Sequence, residues 1–311
     1  MDLRIDHVRK EYPRGVLAND DISITVAAGE VYGLLGHNGA GKTTLVRQVA
    51  GAIRPTSGTI RIGDGDPVAD PGFARRVCSV QPQAQVPLMG VTPRQAISLV
   101  ARMRGASRAE AAGATQTLME ALDITEWADT PGERLSGGVR RLAAYGLAAV
   151  RPGRVVILDE PSNDVDPVRR RLLWQHVRAL ADAGAAVVLV THNLTEVEGI
   201  LDRLSVLAHG RVVVDGTVAE LRAEAGPPVR LEIAVTPGRE EPSPPPPFRS
   251  PPPRRERHRL VYRLDTGDSA TAAEWAARLQ AAGAISEFTL SPVRVEDIYL
   301  ALEEEHDVVA S

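Results

Sequence analysis

The chain has 311 residues, of which 43% are apolar and 24% are charged, and its formal net charge at pH 7 is −4. This composition is that of a globular protein with a full hydrophobic core, and it excludes the strongly basic balance of many nucleic-acid-binding proteins. One cysteine excludes an intrachain disulfide, and no apolar run reaches the roughly 20 residues that a membrane-spanning helix needs. We therefore expect a soluble, cytoplasmic protein that does not bind nucleic acid.

The first part of the chain alternates between strand and helix patterns. Residues 22–26 alternate apolar and polar side chains, and residues 31–35 form a short apolar run that leads into a glycine-rich loop. Residues 43–50 have helical spacing and end at a glycine, and residues 59–62 read as another strand. Strand patterns return further along the chain, at residues 155–158, 186–190, 204–208 and 212–214.

A helical segment interrupts this alternation. Residues from about 88 to 150 are rich in Ala, Leu, Arg and Glu, and their apolar side chains recur at helical spacing. We predict an α/β fold with this segment inserted as a helical subdomain. The domain carrying it is predicted to span residues 1–225.

Residues 226–311 are predicted to form a small C-terminal α+β appendage. Its strand patterns cover residues 229–235, 259–264 and 286–290, and its helix patterns cover residues 270–282 and 295–304. A loop is predicted at residues 237–257, because the dense prolines at 242–253 can donate no backbone hydrogen bond to a sheet or helix. The exposed loop has two alternative interpretations, a polyproline ligand and a basic contact for lipid headgroups.

A phosphate-binding loop is the most specific motif. Residues 36–43 match the pattern G-x-x-x-x-G-K-[ST], and they follow an apolar strand and precede a helix, as the mechanism requires. Backbone N–H groups of such a loop surround phosphate oxygens, Lys42 reaches the β- and γ-phosphates, and the Thr43 hydroxyl can bind Mg²⁺. The predicted ATP contacts are Gly36, His37, Asn38, Gly39, Ala40, Gly41, Lys42, Thr43 and Thr44.

Two acids follow the apolar run at residues 155–158. Asp159 ends this run and is predicted to hold Mg²⁺, since an acid at the carboxyl end of a core strand lies beside the phosphate loop. Glu160 comes next and is predicted to polarise the water that attacks the γ-phosphate. The sequence therefore predicts an ATPase of the P-loop NTPase class.

Taken with Leu135-Ser136-Gly137-Gly138-Val139, these residues resemble the nucleotide-binding subunits of ABC transporters over residues 3–225. The resemblance implies that Ser136, Gly137 and Gly138 contact the γ-phosphate held by a second subunit, so that two chains enclose two ATP molecules. It also implies that Tyr12 stacks on adenine, that His192 contacts the γ-phosphate, and that residues 163–167 link the two active sites across the dimer. Gln83 is implied as the residue that senses and binds Mg²⁺, with Gln81 as the alternative at this position.

Two departures from the family pattern accompany this resemblance. Val139 stands where a glutamine is usual, and Ser162 and Val165 vary the loop after Glu160. Neither change removes a group that performs chemistry, so an active ATPase is still expected.

Beyond residue 225 the chain resembles the drug-resistance and multidrug-export branch of the family, whose members often end in a segment like residues 295–302. This resemblance implies a peripheral subunit on the inner face of the cell membrane, paired as a dimer and bound to a separate polytopic permease that exports a hydrophobic small molecule. Two alternatives remain. One is a soluble ABC ATPase that acts on ribosomes or DNA, and the other is a regulatory subunit that binds ATP and barely hydrolyses it.

Overall fold

The computed structural model describes residues 2–84, 86–224, 228–242, 253–256 and 259–293. The chain divides into two units, Met1–Gly216 and Thr217–Ser311. In the described part of the chain, no helix is both long enough and apolar enough to cross a membrane.

A three-stranded antiparallel sheet opens the first unit. It consists of β1 (Leu3–Tyr12), β2 (Val16–Val26) and β4 (Ser57–Ile62), in the order β2-β1-β4. The inward side chains of β1 alternate at Leu3 and Ile5, and a bulge with His7 at φ 48° then shifts the alternation to Val8. This shift places all three apolar side chains in the core, although their spacing is irregular.

A six-stranded sheet forms the centre of the first unit, in the order β5-β6-β7-β3-β8-β9. Its strands are β3 (Val31–Leu35), β5 (Cys78–Gln81), β6 (Val155–Asp159), β7 (Ala186–Val190), β8 (Arg203–Ala208) and β9 (Arg211–Thr217). Strands β5, β6, β7, β3 and β8 pair in parallel. Every residue of β3, β6 and β7 is buried, which explains their continuous apolar runs.

Seven helices are described in the first unit. They are α1 (Lys42–Val49), α2 (Pro71–Val77), α3 (Pro93–Met103), α4 (Arg108–Ala121), α5 (Gly137–Ala149), α6 (Pro167–Asp182) and α7 (Leu194–Val197). Side-chain caps fix several of their starts. Thr92 and Ser107 form capping boxes with Gln95 and Glu110, and Asp166 accepts two backbone N–H groups at the start of α6.

Helices α3, α4 and α5 pack on one another and form the helical segment that the sequence predicts. Ile97 and Leu118 both lie against Gly146 of α5, whose missing side chain lets the helices approach closely. Helix α5 also contacts β5 and β6. The predicted fold class, an α/β core with an inserted helical segment, is therefore confirmed.

The described residues of the second unit form a four-stranded antiparallel sheet, in the order β11-β12-β10-β13, and two helices. The elements are α8 (Val218–Glu224), β10 (Val229–Val235), β11 (Arg254–Glu256), β12 (Arg259–Leu264), α9 (Ser269–Ala281) and β13 (Ile285–Pro292). Leu231, Ile233 and Tyr262 pack against Trp275 of α9 in its core.

The prediction of an uninterrupted loop at residues 237–257 is wrong at its C-terminal end. Arg254–Glu256 pair with β12, so the chain returns to the sheet where the prolines stop and backbone donors become available. The helix predicted at residues 295–304 lies outside the described residues, as do residues 243–252 of the proline tract.

Candidate active site

The phosphate loop joins β3 to α1 through backbone conformations that need glycine. Gly41 immediately precedes α1 and has φ 105°, in the left-handed region. A Cβ atom at this position would lie 2.1 Å from the carbonyl oxygen of Ala18, so any side chain would displace β2. The loop therefore lies against β2, and α1 begins directly after it, where the first N–H groups of a helix have no partner within the helix.

Lys42 lies across this loop. Its Nζ donates hydrogen bonds to the carbonyl oxygens of Gly36 and His37, at 2.6 and 2.9 Å. Burial lowers the pKa of Lys42, and the charges of Glu160 and Asp159 counteract this. The ammonium group thus lies at the centre of the loop, with two carboxylates close enough to influence its ionisation.

A cavity of about 370 Å³ opens beside the loop. Its lining combines residues from four separate parts of the first unit, namely Ala18, Asn38, Gly39, Gly41, Lys42, Thr43, Thr44, Gln83, Asp159 and Glu160. Loop amides, a lysine and two carboxylates therefore share one cavity, as a bound nucleoside triphosphate and its cation require.

The lining also fits Mg²⁺. The Thr43 hydroxyl, the Gln83 amide and the Asp159 carboxylate all supply oxygen atoms, the ligand type that this cation prefers. Burial raises the pKa of Asp159 to about 6, and the neighbouring Glu160 charge adds to this, against the opposing effects of Lys42 and Arg141. Burial and the Glu160 charge disfavour the charged form of this carboxyl group, and a nearby cation would stabilise that form.

Glu160 is the most tightly held acid of the site. It follows β6 with φ 51°, an unusual conformation for a residue with a side chain. Its carboxylate accepts hydrogen bonds from the Thr191 hydroxyl (3.1 Å) and the His192 backbone N–H (2.9 Å), and the His192 ring nitrogen Nδ1 lies 2.6 Å away. The carboxylate is thus fixed at the cavity edge by the segment that follows β7.

The Ser136-Gly137-Gly138 segment begins α5. The Ser136 hydroxyl accepts the backbone N–H of Val139 at 3.3 Å and caps the helix. A Cβ atom on Gly138 would lie 2.4 Å from the Asp164 carbonyl oxygen, so the segment lies directly against the loop after Glu160. Ser136 is exposed and does not line the cavity around Lys42.

Comparison with known proteins identifies the family. The family model described as ABC transporter matches residues 19–163. The doxorubicin resistance ATP-binding protein DrrA of Mycobacterium tuberculosis is 34% identical, over 73% of this chain and 69% of that protein. The chain belongs to the ABC transporter ATP-binding family.

Two further likenesses agree with this assignment. The daunorubicin/doxorubicin resistance ATP-binding protein DrrA of Streptomyces peucetius is 37% identical over 68% of this chain, and the match spans 64% of that relative's length, just under two thirds. A solved structure described as the ATP binding subunit of an ABC transporter is 26% identical and has a TM-score of 0.68, over 73% of this chain and 94% of that one. The resemblance to this family and to its drug-resistance branch, inferred from sequence, is confirmed.

The ABC fold separates the two candidate glutamines. Gln83 lines the cavity, whereas Gln81 ends β5 and is buried, with its Nε2 donating to the Arg141 carbonyl oxygen at 3.2 Å. The geometry therefore favours the predicted role for Gln83 over the competing register. Tyr12 ends β1 outside the cavity lining, with the Lys10 ammonium 5.2 Å from its ring centre.

Sequence reasoning missed a buried amide pair beneath the phosphate loop. Asn19 of β2 donates from Nδ2 to the Gly41 carbonyl oxygen at 3.2 Å and accepts from Gln48 Nε2 at 2.7 Å. Both side chains are fully buried. The sequence gives no clear signal for this pair, because both amides stand among other polar residues of their elements and only the tertiary fold places one beside the other.

Glu196 is a second missed residue. Its carboxylate accepts hydrogen bonds from Ser162 (3.1 Å), Arg170 (2.5 Å) and Asn193 (2.6 Å). It thereby joins the segment after Glu160 to the segment after His192. An acid in a short helix gives no such signal in the sequence, because its partners come from three different segments.

Proposed function

We propose that the chain binds ATP with Mg²⁺ and hydrolyses it as the motor subunit of an exporter. In this proposal two such subunits form a dimer on the cytoplasmic face of the cell membrane and act on a separate polytopic permease. The proposed cargo is a hydrophobic small molecule such as a drug or antibiotic, because the related DrrA proteins are named for resistance to such compounds.

One observation carries the catalytic part of this proposal. Lys42, Gln83 and the adjacent pair Asp159 and Glu160 come from three distant parts of the sequence and line one cavity beside the phosphate loop. A half-buried lysine, an oxygen-only set of cation ligands and a fixed carboxylate are the groups that phosphoryl transfer to water needs.

ATP binding would rearrange Lys42. Its ammonium group now donates hydrogen bonds to loop carbonyl oxygens, and in the complex it would turn to the β- and γ-phosphates while Gly36–Thr44 amides bind the remaining oxygens. Thr43, Gln83 and Asp159 would hold Mg²⁺, which when bound neutralises phosphate charge. Tyr12 is proposed to contact adenine.

Glu160 is proposed as the general base. Its carboxylate is held by Thr191 and His192, so it can orient a water molecule without itself reorganising. The His192 side chain is 65% exposed, which leaves its ring free to contact the γ-phosphate while Nδ1 remains on Glu160.

The position of Ser136–Gly138 supports a dimer. These residues lie at a helix start, carry an exposed hydroxyl and do not line their own chain's nucleotide cavity. A second subunit could present them to the γ-phosphate, which would make hydrolysis depend on two chains. Closure of that dimer is the step proposed to act on the permease.

A pull-down from the native membrane tests the proposal. Tagged Glu160→Gln protein is purified with ATP and Mg²⁺ from detergent-solubilised membranes of its own host, and copurifying proteins are identified by mass spectrometry. A stoichiometric polytopic membrane protein is expected, because the variant should stay in its ATP-bound form.

Lys42→Ala is the matched control, since it should not reach the ATP-bound form and should retain less of the membrane partner. Recovery of ribosomal proteins or nucleic acid would instead favour a soluble ATPase, and would contradict the export proposal.

A further inference from the structure

Arg141 of α5 uses every hydrogen-bond donor of its guanidinium group. Nε donates to the Glu160 carbonyl oxygen at 2.8 Å, and Nη2 donates to the carbonyl oxygens of Glu160 (2.6 Å) and Asp159 (3.1 Å). Nη1 donates to the carbonyl oxygens of Pro82 (3.1 Å) and Gln83 (2.8 Å). A guanidinium has five N–H groups in a fixed plane, so this set is complete.

The surroundings of Arg141 are unusual for a charged side chain. It is 6% exposed, and among the described residues its partners are backbone carbonyls rather than carboxylates. A buried charge without an ion pair is costly unless its donors are all satisfied. Burial lowers the pKa of Arg141, and the nearby charges of Asp159, Glu160 and Asp164 offset this.

The bonds of Arg141 join three segments of the candidate site. They connect α5, which begins at Ser136, to the loop carrying Gln83 and to the end of β6 that carries Asp159 and Glu160. One further hydrogen bond runs in the opposite direction, from the Gln81 side chain at the end of β5 to the backbone carbonyl oxygen of Arg141. Four carbonyl oxygens from two loops therefore depend on one side chain for their position.

We propose that Arg141 is a positioning residue that transmits a displacement of the Ser136 helix to Glu160 and Gln83 of the same chain. This inference rests on the proposed ATPase function. A helix moves as a rigid element over the short distance between Ser136 and Arg141, and the planar guanidinium allows little independent motion of the carbonyls that it binds. Contact with a phosphate at Ser136 would thus adjust the catalytic base and the cation ligand together.

The geometry also predicts that lysine cannot replace Arg141. A lysine ammonium has three donors around one atom, whereas the four acceptor oxygens are spread around a planar fork. Arg141→Lys keeps the positive charge, but its ammonium group cannot bind all four carbonyl oxygens at once. It therefore separates the positioning role from the electrostatic one.

The test compares steady-state ATP hydrolysis by the full-length parent, Arg141→Lys and the control Arg104→Lys. The control removes another half-buried guanidinium-to-carbonyl bond, from Arg104 Nη2 to the Cys78 carbonyl oxygen (2.7 Å) at the other end of β5. ATP affinity is measured separately by titration, and folding is measured by thermal unfolding. We expect Arg141→Lys to lower kcat at least tenfold with ATP affinity within threefold of the parent, and Arg104→Lys to leave kcat within twofold.

A kcat within twofold of the parent in folded Arg141→Lys would overturn the inference, as would equal losses of kcat and ATP affinity. If Arg141→Lys does not fold, Arg141→Gln replaces it, because its amide retains two N–H donors and buries no charge. The same fall in kcat at retained affinity is expected. A parent protein that binds ATP without hydrolysing it would contradict the proposed function itself, and with it this inference.

Discussion

The two sides of the candidate nucleotide cavity are built in different ways. On one side, nine consecutive residues (Gly36–Thr44) supply the phosphate loop, and their own backbone conformations define the binding surface. On the other side, Gln83, Asp159 and Glu160 come from separate segments and are held by Arg141, Thr191 and His192. The first side is a local structure, and the second exists only when distant segments have packed.

This difference suggests a division of work. The loop side presents amides and a lysine to phosphate, so changes there should mainly affect nucleotide affinity. The carboxylate side orients water and cation, so changes there should mainly affect turnover. Substitutions on each side can separate these effects or show that they are linked.

Lys42→Ala should have the largest effect on binding. Loss of two charge-assisted hydrogen bonds to phosphate costs about 3 kcal/mol, or roughly 100-fold in ATP affinity. Titration with a fluorescent ATP analogue measures this, with Arg61→Ala, an exposed residue of β4, as control. Unchanged affinity in Lys42→Ala would show that the loop does not bind the phosphates.

His192→Ala should act on turnover instead. Removing the ring eliminates its contact with Glu160 and the proposed contact with phosphate, so kcat should fall about tenfold, equivalent to ~1.4 kcal/mol, while affinity changes little. Steady-state kinetics checks this against His7→Ala, whose ring is exposed and contacts Asp21. A loss of ATP affinity with unchanged kcat would contradict the proposal that the carboxylate side mainly affects turnover.

The Asn19–Gln48 pair tests how far the loop side depends on its support. Asn19→Leu removes the Asn19 acceptor of the buried Gln48 amide, which then keeps only its bond to the Thr44 carbonyl oxygen, so the free energy of unfolding should fall by about 2 kcal/mol. Adding Gln48→Met should recover much of this stability, because both amides are then replaced by apolar groups of similar size.

The double variant still lacks the hydrogen bond from Asn19 to the Gly41 carbonyl oxygen. We therefore expect urea unfolding to show recovery while ATP affinity stays several-fold below the parent. Full recovery of affinity would mean that the loop holds its conformation without this hydrogen bond from β2.

The smallest expected effect concerns His176, which lies outside the cavity. Burial lowers its pKa below 6.5, and its Nδ1 lies 2.7 Å from the Tyr145 hydroxyl of α5. Above about pH 6.5 the ring is neutral in both the folded and the unfolded chain, so its ionisation does not change the stability. As pH falls below 6.5 the unfolded chain takes up the proton first, so stability is lost between 6.5 and the lower folded pKa.

The loss should be no more than about 1 kcal/mol, since the ring is partly exposed. Thermal unfolding of the parent and His176→Gln at pH 7 and pH 5.5 measures it. The parent should lose more stability than the variant, and equal losses would exclude His176 as the cause.

The sequence alone predicts the loop side almost completely. The pattern from Gly36 to Thr43 carries the phosphate-binding groups in consecutive residues. Strand β3 before it is recognisable in the sequence because its five residues are apolar or glycine, and in the structure all five are buried. Strands β10 and β12 also have the predicted bounds: β10 alternates apolar and other side chains, and β12 carries a short apolar run between arginines.

The missed features all depend on long-range contacts or on irregular backbone. Strand β1 escaped prediction because its bulge at His7 breaks the alternation between Ile5 and Val8. Arg141 reads as one of two adjacent arginines in a helix, and only the packing of α5 against β5 and β6 gives it four carbonyl partners. The sequence predicts Glu160 from its place after an apolar strand and His192 from the resemblance to a family, but it does not predict the hydrogen bonds between them.

The most direct test of this account is a paired measurement on Glu160→Gln. Its ATP affinity and its rate of phosphate release are determined on one preparation beside the parent. Loss of a general base should lower turnover by about 100-fold or more, whereas the amide leaves the phosphate loop intact and affinity within a few-fold of the parent. Turnover equal to that of the parent would contradict the role of Glu160, and a matching loss of affinity would contradict the separation of the two sides.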